Sequence, residues 1–573
     1  MKRAALLICV FMALVMGSAQ AAKPASYDQS PFGVNYLKWE FLWNKPGWED
    51  EIHARARNMK EIGVYWDRDG ISRGSVNPSD DGKTWVWDKP DKLVQICKDE
   101  GINLVVILMG NPTPRDEATR RMYAEYTYQV VNRYKDYVKI WEIWNEPNIP
   151  SFWKNPDAKL YTELLKAMYT AAKKADPTCT VVAGSSNGPG NDWFDAIYNN
   201  GGWNYCDGIS IHPYAMASNP IEQGLDRELA YLNKQIAKLG KKPIWSTEVG
   251  WKGKKGADEE IQATKIIQTY IIHIANGFQN MDYFCMDNYD DWGFVMRTSP
   301  PETKLAYGSI KLITQALGSP GPCAKFQGYL QMPEGVACYV FAKPKNQRVL
   351  VLWSNNKQTH NVQLAQKSGL SAVDIINKPV QVTSGSLDVG PTPIIVTGAD
   401  ARKIGKVSMD FNPYLRKPGQ NLLVNPGMDA DPGKNPHGWT EGRFFHGDKD
   451  GKLATTNEGR NGSTCVSISE SGKSCAWDAS PIPVDPDKTY TLTAWIKTKD
   501  ATGKNVVGLY WYSGNQWTCM GAPSTQTITG TQDWTMVTVT AKPPRGAAIV
   551  RVNLVSENNK GTTWFDDVSL TEN

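Results

Sequence analysis

Metal-ligand patterns are what this chain most clearly lacks. Its 573 residues include six His, with no His-rich spacing and no Cys-x-x-Cys. Zinc sites need ligands at set intervals, so a metal hydrolase is set aside as a working class. A glycine-rich phosphate turn is missing too. After the first strand-like run the sequence reads GVNYLKWE, which argues against a doubly wound dinucleotide-binding sheet. Charge is nearly balanced: 63 Lys and Arg face 59 Asp and Glu, a net of +4. Nothing here calls for nucleic acid or an anionic membrane as partner. Past residue 21 no run is apolar and long enough to span a bilayer. The chain shows no internal repeat and no low-complexity tract.

What it has in quantity is aromatic surface, 22 Trp and 24 Tyr. Such rings fill cores, and they also stack on the apolar faces of sugar rings; core packing accounts for most of them. The chain opens MKRAALLICVFMALVMGSAQAAKPAS. Lys2 and Arg3 precede an apolar centre from Ala4 to Met16, and Ala19-Gln20-Ala21 forms a small-residue cleavage site. This predicts a signal peptide over residues 1–21 and a secreted or periplasmic protein. Without Cys9, nine Cys remain. Export permits disulfides, and Cys179–Cys206, Cys323–Cys338 and Cys465–Cys475 are the expected pairs, leaving Cys97, Cys285 and Cys519 free.

From residue 32 to about 320, short apolar runs alternate with helical stretches. The strand candidates are 32–36, 62–69, 103–110, 138–146, 180–186, 207–215, 242–250 and 281–288, with helical patterns at 91–100, 160–175 and 221–240. Eight strand–helix units predict parallel strands closed into a (β/α)8 TIM barrel over residues 22–320. The pattern then changes to short strands and turns. It predicts two all-β sandwich domains, 321–409 and 421–573, joined by a linker at 410–420.

Polar residues cluster where the barrel strands should end: Asn35, Arg68, Asn111, Asn145, Glu146, His212, Tyr214, Glu248 and Asp287. On a barrel those ends form one rim, where active sites sit. Glu146 and Glu248 would end the fourth and seventh strands. Breaking a glycosidic bond needs one carboxyl to protonate the leaving oxygen and another to face the anomeric carbon. Glu248 must be ionised to attack, helped by Arg68 and Tyr214, while Glu146 must first be protonated. Glu142 lies deeper, where an unpaired charge is costly. It is expected to be structural and paired with Arg68.

The stretches WEIWNEPN, ISIHPY and PIWSTEVGW resemble glycoside hydrolase clan A, the (β/α)8 retaining glycosidases, with family 39 the nearest pattern. The resemblance covers about residues 32–320. It implies that Glu146 is the acid/base and Glu248 the nucleophile. It further implies that Asn145 contacts the sugar 2-hydroxyl, that His212 and Tyr214 orient nucleophile and substrate, and that Arg68 closes the set. Asn111, Asp287 and Trp292 are further candidates for substrate contact. Arg73 stands where a Trp is usual in the family.

The last domain resembles a β-sandwich carbohydrate-binding module, on NLLVNPGMD at its start and WFDDVSL at its end. That resemblance implies a structural Ca2+ at Asp429 and Asp566. In LYWYSGNQW, two of Tyr510, Trp511, Tyr512 and Trp517 would form a sugar platform, with strand alternation sending the others to the core. The combined expectation is a secreted retaining glycoside hydrolase for a polysaccharide or oligosaccharide, with no cofactor for catalysis. The alternatives are an inactive glycan-binding protein and a transglycosylase using the same site.

Overall fold

The computed structural model describes residues 30–37, 39–79, 82–214, 219–321, 323–431, 433–442, 451–514 and 518–573. The expected signal peptide and Trp517 lie outside these.

Eight parallel strands close into a barrel in chain order: β1 (Phe32–Asn35), β2 (Trp66–Gly70), β3 (Asn103–Leu108), β4 (Ile140–Ile143), β5 (Thr180–Asn187), β6 (Gly208–His212), β7 (Ile244–Val249) and β8 (Met281–Phe284). Each coincides with an expected run. Six of them end earlier than expected on the C-terminal side, where the residues leave the ladder for the rim, while β2 and β5 run one residue further. Trp66, Val105, Ile140, Val182 and Trp245 plug the barrel near the strands' N-terminal ends. The outer faces pack on the helices.

Local chemistry sets the helices. Asp157 caps the helix Ala158–Ala175 by accepting from Lys159 N and Leu160 N, and the next turns bury Tyr161, Leu164, Leu165 and Met168. The helical pattern at 221–240 is two helices, Pro220–Gln223 and Leu225–Gly240. Gly224 breaks them with φ 73°, a left-handed conformation that glycine adopts without steric cost.

The next domain is a seven-stranded sheet covered on one side by a two-stranded sheet, His360–Gln363 with Ser386–Val389. One face of the large sheet joins the barrel's core through Tyr329, Tyr339, Phe341 and Trp353. The other faces its own interior of Leu350, Leu352 and Val396. The segment 410–420 is more than a spacer. Tyr414 is buried, its hydroxyl accepts from Trp353 Nε1 at 3.0 Å, and its carbonyl accepts from Arg227.

In the last domain the 26-residue strand Ala547–Glu572 pairs with Lys504–Ser513 along its first half and Tyr490–Ala501 along its second. This domain sits on the barrel. Arg545 Nε meets Asp195 Oδ2 at 2.5 Å, Lys234 meets Asp485 at 2.8 Å, and Gly514 N donates to Asp192 Oδ1 at 3.4 Å.

The disulfide expectation is corrected: none of the nine Cys of the described residues is joined in a disulfide. Cys465 and Cys475 lie on one strand, Cys465–Ala479. Ten residues of strand span about 30 Å, whereas a disulfide needs Cα atoms about 4.4–6.8 Å apart. Cys338 faces the sandwich interior while Cys323 packs on the barrel side. Cys206 Sγ contacts Trp203 O instead of Cys179.

Candidate active site

The barrel mouth gathers a buried hydrogen-bonded set from five strand ends. Arg68, at the end of β2, is its hub. Its Nε donates to Glu142 Oε2 at 2.6 Å, Nη1 to Glu248 Oε1 at 2.5 Å, and Nη2 to Asn145 Oδ1 at 2.8 Å and Ser185 Oγ at 3.1 Å. Burial alone would push this guanidinium toward neutrality, but Glu142 and Glu248 beside it hold its pKa above the ordinary value. Glu142 is fully buried, and its second oxygen accepts from Thr247 Oγ1 at 2.7 Å. The expected Arg68–Glu142 pair is therefore present.

Past β4 the chain turns sharply. Trp144 and Glu146 have φ of 69° and 39°, left-handed values that cost about 1–3 kcal/mol each for non-glycine residues. Packing holds the turn in place. Trp144 is wedged between Tyr123 and Trp153, with ring centroids 5.5 and 5.2 Å away. Its Nε1 donates to Phe152 O at 3.1 Å, and Glu146 N donates to Ser185 O at 2.9 Å. Glu146 Oε1 meets His212 Nδ1 at 2.8 Å and accepts from Asn187 Nδ2 at 3.1 Å. Oε2 takes no hydrogen bond from the described residues.

Glu248, at the end of β7, accepts from Tyr214 Oη at 3.0 Å through Oε2, which lies 3.7 Å from His212 Nδ1. Burial raises its pKa, yet His212, Arg68 and the Tyr214 hydroxyl outweigh that and bring it below the usual carboxylate value. Tyr214 moves the other way. Burial first, then Glu248 and Glu146, push its hydroxyl well above its ordinary value. Among the described residues, Glu146, His212 and Glu248 form the one His/Cys/Asp/Glu trio with ligand atoms within 4.8 Å of one another. Arg68 and Tyr214 donate into Glu248, and Asn187 into Glu146.

Trp292 packs edge-on to Tyr214 at 5.5 Å and to Phe284 at 6.1 Å, with Lys252 Nζ 5.4 Å from its ring centre. Two expected residues fall outside this set. Asn111 is exposed, and its carbonyl accepts from Arg73. Asp287 accepts from Arg55 Nη2 at 3.1 Å, which anchors the loop after β8 to the helix Trp48–Glu61. Three members were not singled out from the sequence: Thr247, Ser185 and Asn187. Thr247 was within reach, since WSTEVG places a hydroxyl directly before Glu248.

In the last domain Asp566 is buried. Its Oδ2 accepts from Arg460 N at 2.7 Å and Ser463 Oγ at 3.0 Å, and Oδ1 accepts from Asp567 N at 2.8 Å. Three donors occupy most of a carboxylate's roughly four lone-pair sites, and a hard cation needs those lone pairs. Asp429 is exposed, its N–H bonded to Asn425 Oδ1. In this arrangement Asp566 is engaged by protein donors and Asp429 lies at the surface, so the pair does not form an open oxygen cradle. Trp511 enters the core, while Tyr510 and Tyr512 share the opposite face with Ile549.

The family model CBM_4_9_1, described as BppA domain 1, matches residues 448–570. No curated protein sequence matches the chain. The structural neighbours are clan A glycoside hydrolases. One is a family 39 glycoside hydrolase from the gut symbiont Bacteroides cellulosilyticus WH2. It is 19% identical and aligns over 65% of this chain and 82% of its own, with a TM-score of 0.54. Another is a family 51 alpha-L-arabinofuranosidase from Bifidobacterium longum, 10% identical over 65% of this chain and 95% of its own, with a TM-score of 0.50. At these identities the likeness establishes a shared fold. No helix among the described residues is long and apolar enough to cross a membrane.

Proposed function

We propose that the chain is an exported retaining β-glycosidase acting on a polysaccharide or oligosaccharide. The observation that carries this reading is the spacing of two carboxylates: Glu146 and Glu248 offer oxygens within 4.8 Å of each other across the barrel mouth. A retaining pair stands about 5–5.5 Å apart, and an inverting pair about 6.5–9.5 Å apart to admit a water.

In the first step Glu146 gives a proton to the leaving oxygen as Glu248 attacks the anomeric carbon. The glycosidic C–O bond breaks and a glycosyl ester forms on Glu248. In the second step Glu146 takes a proton from water, the water oxygen bonds to the anomeric carbon, and Glu248 leaves as a carboxylate. Arg68, His212 and Tyr214 favour the ionised nucleophile. Asn145 has Oδ1 engaged by Arg68, which leaves its Nδ2 to donate to a sugar hydroxyl. Trp292 supplies an apolar face for the ring. The leader-like first 21 residues support export.

The test is digestion of a glycan panel by wild type and Glu248→Ala, read by mass spectrometry. The expected result is one polymer or oligomer cut by wild type and spared by the variant. Products longer than the substrate would mark a transglycosylase. Binding without cutting by either protein would overturn the hydrolase reading in favour of a glycan-binding protein.

A further inference from the structure

We propose that the last domain works as part of the catalytic unit. Its Gly514, Arg545 and Gly546 clamp the segment that follows β5, and so act as positioning residues for Asn187 and, through it, for Glu146. The catalytic half of this proposal rests on the glycosidase reading; the clamp itself does not.

The end of β5 holds Glu146 twice. Ser185 O accepts from Glu146 N at 2.9 Å, and Asn187 Nδ2 donates to Glu146 Oε1 at 3.1 Å. The second bond sits near the long end of the ordinary range of about 2.7–3.2 Å, so a shift of about half an ångström would break it. Asn187 is the last residue of β5, and its place depends on the turn Gly188-Pro189-Gly190 and on the helix Asn191–Asn199 that begins there. On the inner side the barrel secures this segment itself. Asn187 N donates to Asn148 Oδ1 at 2.9 Å, Gly188 N to His212 O at 2.9 Å, and Gln235 Nε2 to Asn191 O at 3.0 Å.

The outer side is covered by the last domain. A β-carbon at Gly514 would lie 2.8 Å from Gly190 Cα, and one at Gly546 would lie 2.9 Å from Asp192 Cβ. Glycine, with no β-carbon, lets the two surfaces approach this closely. Gly514 N donates to Asp192 Oδ1 at 3.4 Å, and Arg545 donates to the buried Asp195 through Nε at 2.5 Å and Nη2 at 3.2 Å. A two-point guanidinium–carboxylate pair fixes orientation as well as distance. Other anchors keep the domain in place independently of this clamp. Lys234 meets Asp485 at 2.8 Å, Lys238 meets Asp487 at 2.6 Å, and Arg416, from the 410–420 segment, donates to Pro483 O at 2.6 Å and to Glu572. A small change at Gly514 therefore disturbs the turn without releasing the domain.

The test uses the full chain with two variants. Gly514→Ala adds a methyl that the Gly190 backbone leaves no room for, and Arg545→Ala removes a side chain that is 67% exposed, so that folding is spared. Hydrogen exchange read by mass spectrometry needs no substrate. Residues 185–195 should exchange faster in both variants while the other barrel strands match wild type. Unchanged exchange at 185–195 in both overturns the clamp. Once the panel names the sugar, kcat/KM is compared on the natural glycan and on the dinitrophenyl glycoside of that sugar. The glycan's leaving oxygen needs the Glu146 proton, whereas dinitrophenolate departs without one. Gly514→Ala and Asn187→Ala should each lower kcat/KM on the glycan about tenfold, and leave the dinitrophenyl substrate nearly unchanged. The double variant should lose no more than Asn187→Ala alone, because both changes act on one bond. Equal losses on the two substrates, or losses that add, overturn the positioning role. A chain whose exchange responds as expected but which cuts no glycan keeps the clamp and refutes the glycosidase reading instead.

Discussion

The floor and the rim of the barrel mouth treat their carboxylates in opposite ways. On the floor, Glu142 is sealed from water and both its oxygens are taken, one by Arg68 and one by Thr247. On the rim, Glu146 keeps Oε2 unbonded, and the Glu248 side chain retains 16% of its exposure. The same residue type thus does two jobs, separated by four positions along one strand and its turn. Sealing and bonding Glu142 suits it to be a strut, whereas Glu146 keeps one oxygen open and Glu248 stays partly exposed, as the proposed reaction requires. Arg68 ties the two levels together, because its guanidinium touches both Glu142 and Glu248.

The largest effect should come from the rim. Glu248→Ala should lower kcat by about 10³-fold or more, since it removes the group that forms the covalent intermediate; a variant retaining a tenth of the activity would break the comparison. Glu142→Gln should act mainly on stability. Removing one partner of a buried ion pair costs about 3 kcal/mol or more, read as a lower midpoint in denaturant unfolding. A Glu142→Gln protein that unfolds like wild type yet has lost all turnover would place this acid on the wrong side of the division. Trp292→Ala should raise KM about tenfold while kcat falls less, as expected for lost ring contact.

The pH dependence sharpens the same contrast. Glu248 has a pKa below its ordinary 4.5 in the folded chain. A depressed carboxylate adds stability that is fully present above the unfolded value and is lost as pH falls through the folded one. The Tm difference between wild type and Glu248→Gln should therefore narrow as pH drops below about 4.5, and a difference that widens would contradict the assignment. The smallest effect is an expected absence of change. EDTA should leave the Tm of the full chain in place, because protein donors already fill Asp566. A chelator-sensitive transition restored by Ca2+ would place an ion in this domain.

The barrel was legible because each strand announces itself as an apolar run, and Glu146 and Glu248 follow or end two of those runs in distinctive company. Glu142 was legible for a related reason: its depth along the strand made a partner obligatory, and Arg68 was the cation at hand. Ser185 and Asn187 were not, since their role follows from strand register. A bulge between Ala183 and Ser186 re-aims the end of β5 toward Glu146. The Cys465–Cys475 pairing fails because a shared domain does not bring two residues together, and an extended strand separates them. The 410–420 segment reads as a linker from its Pro, Gly and charged residues. What that composition hides is Tyr414, whose ring finds a buried slot against Trp353.

The measurement that bears most directly on the central claim is the anomeric configuration of the first-formed product. It would be read by proton NMR within the first turnovers on the substrate that the panel identifies. Retention of the β-configuration is the predicted result, because a carboxylate pair this close leaves no room for a water behind the sugar. An α-product would contradict the account and assign Glu248 the role of a general base.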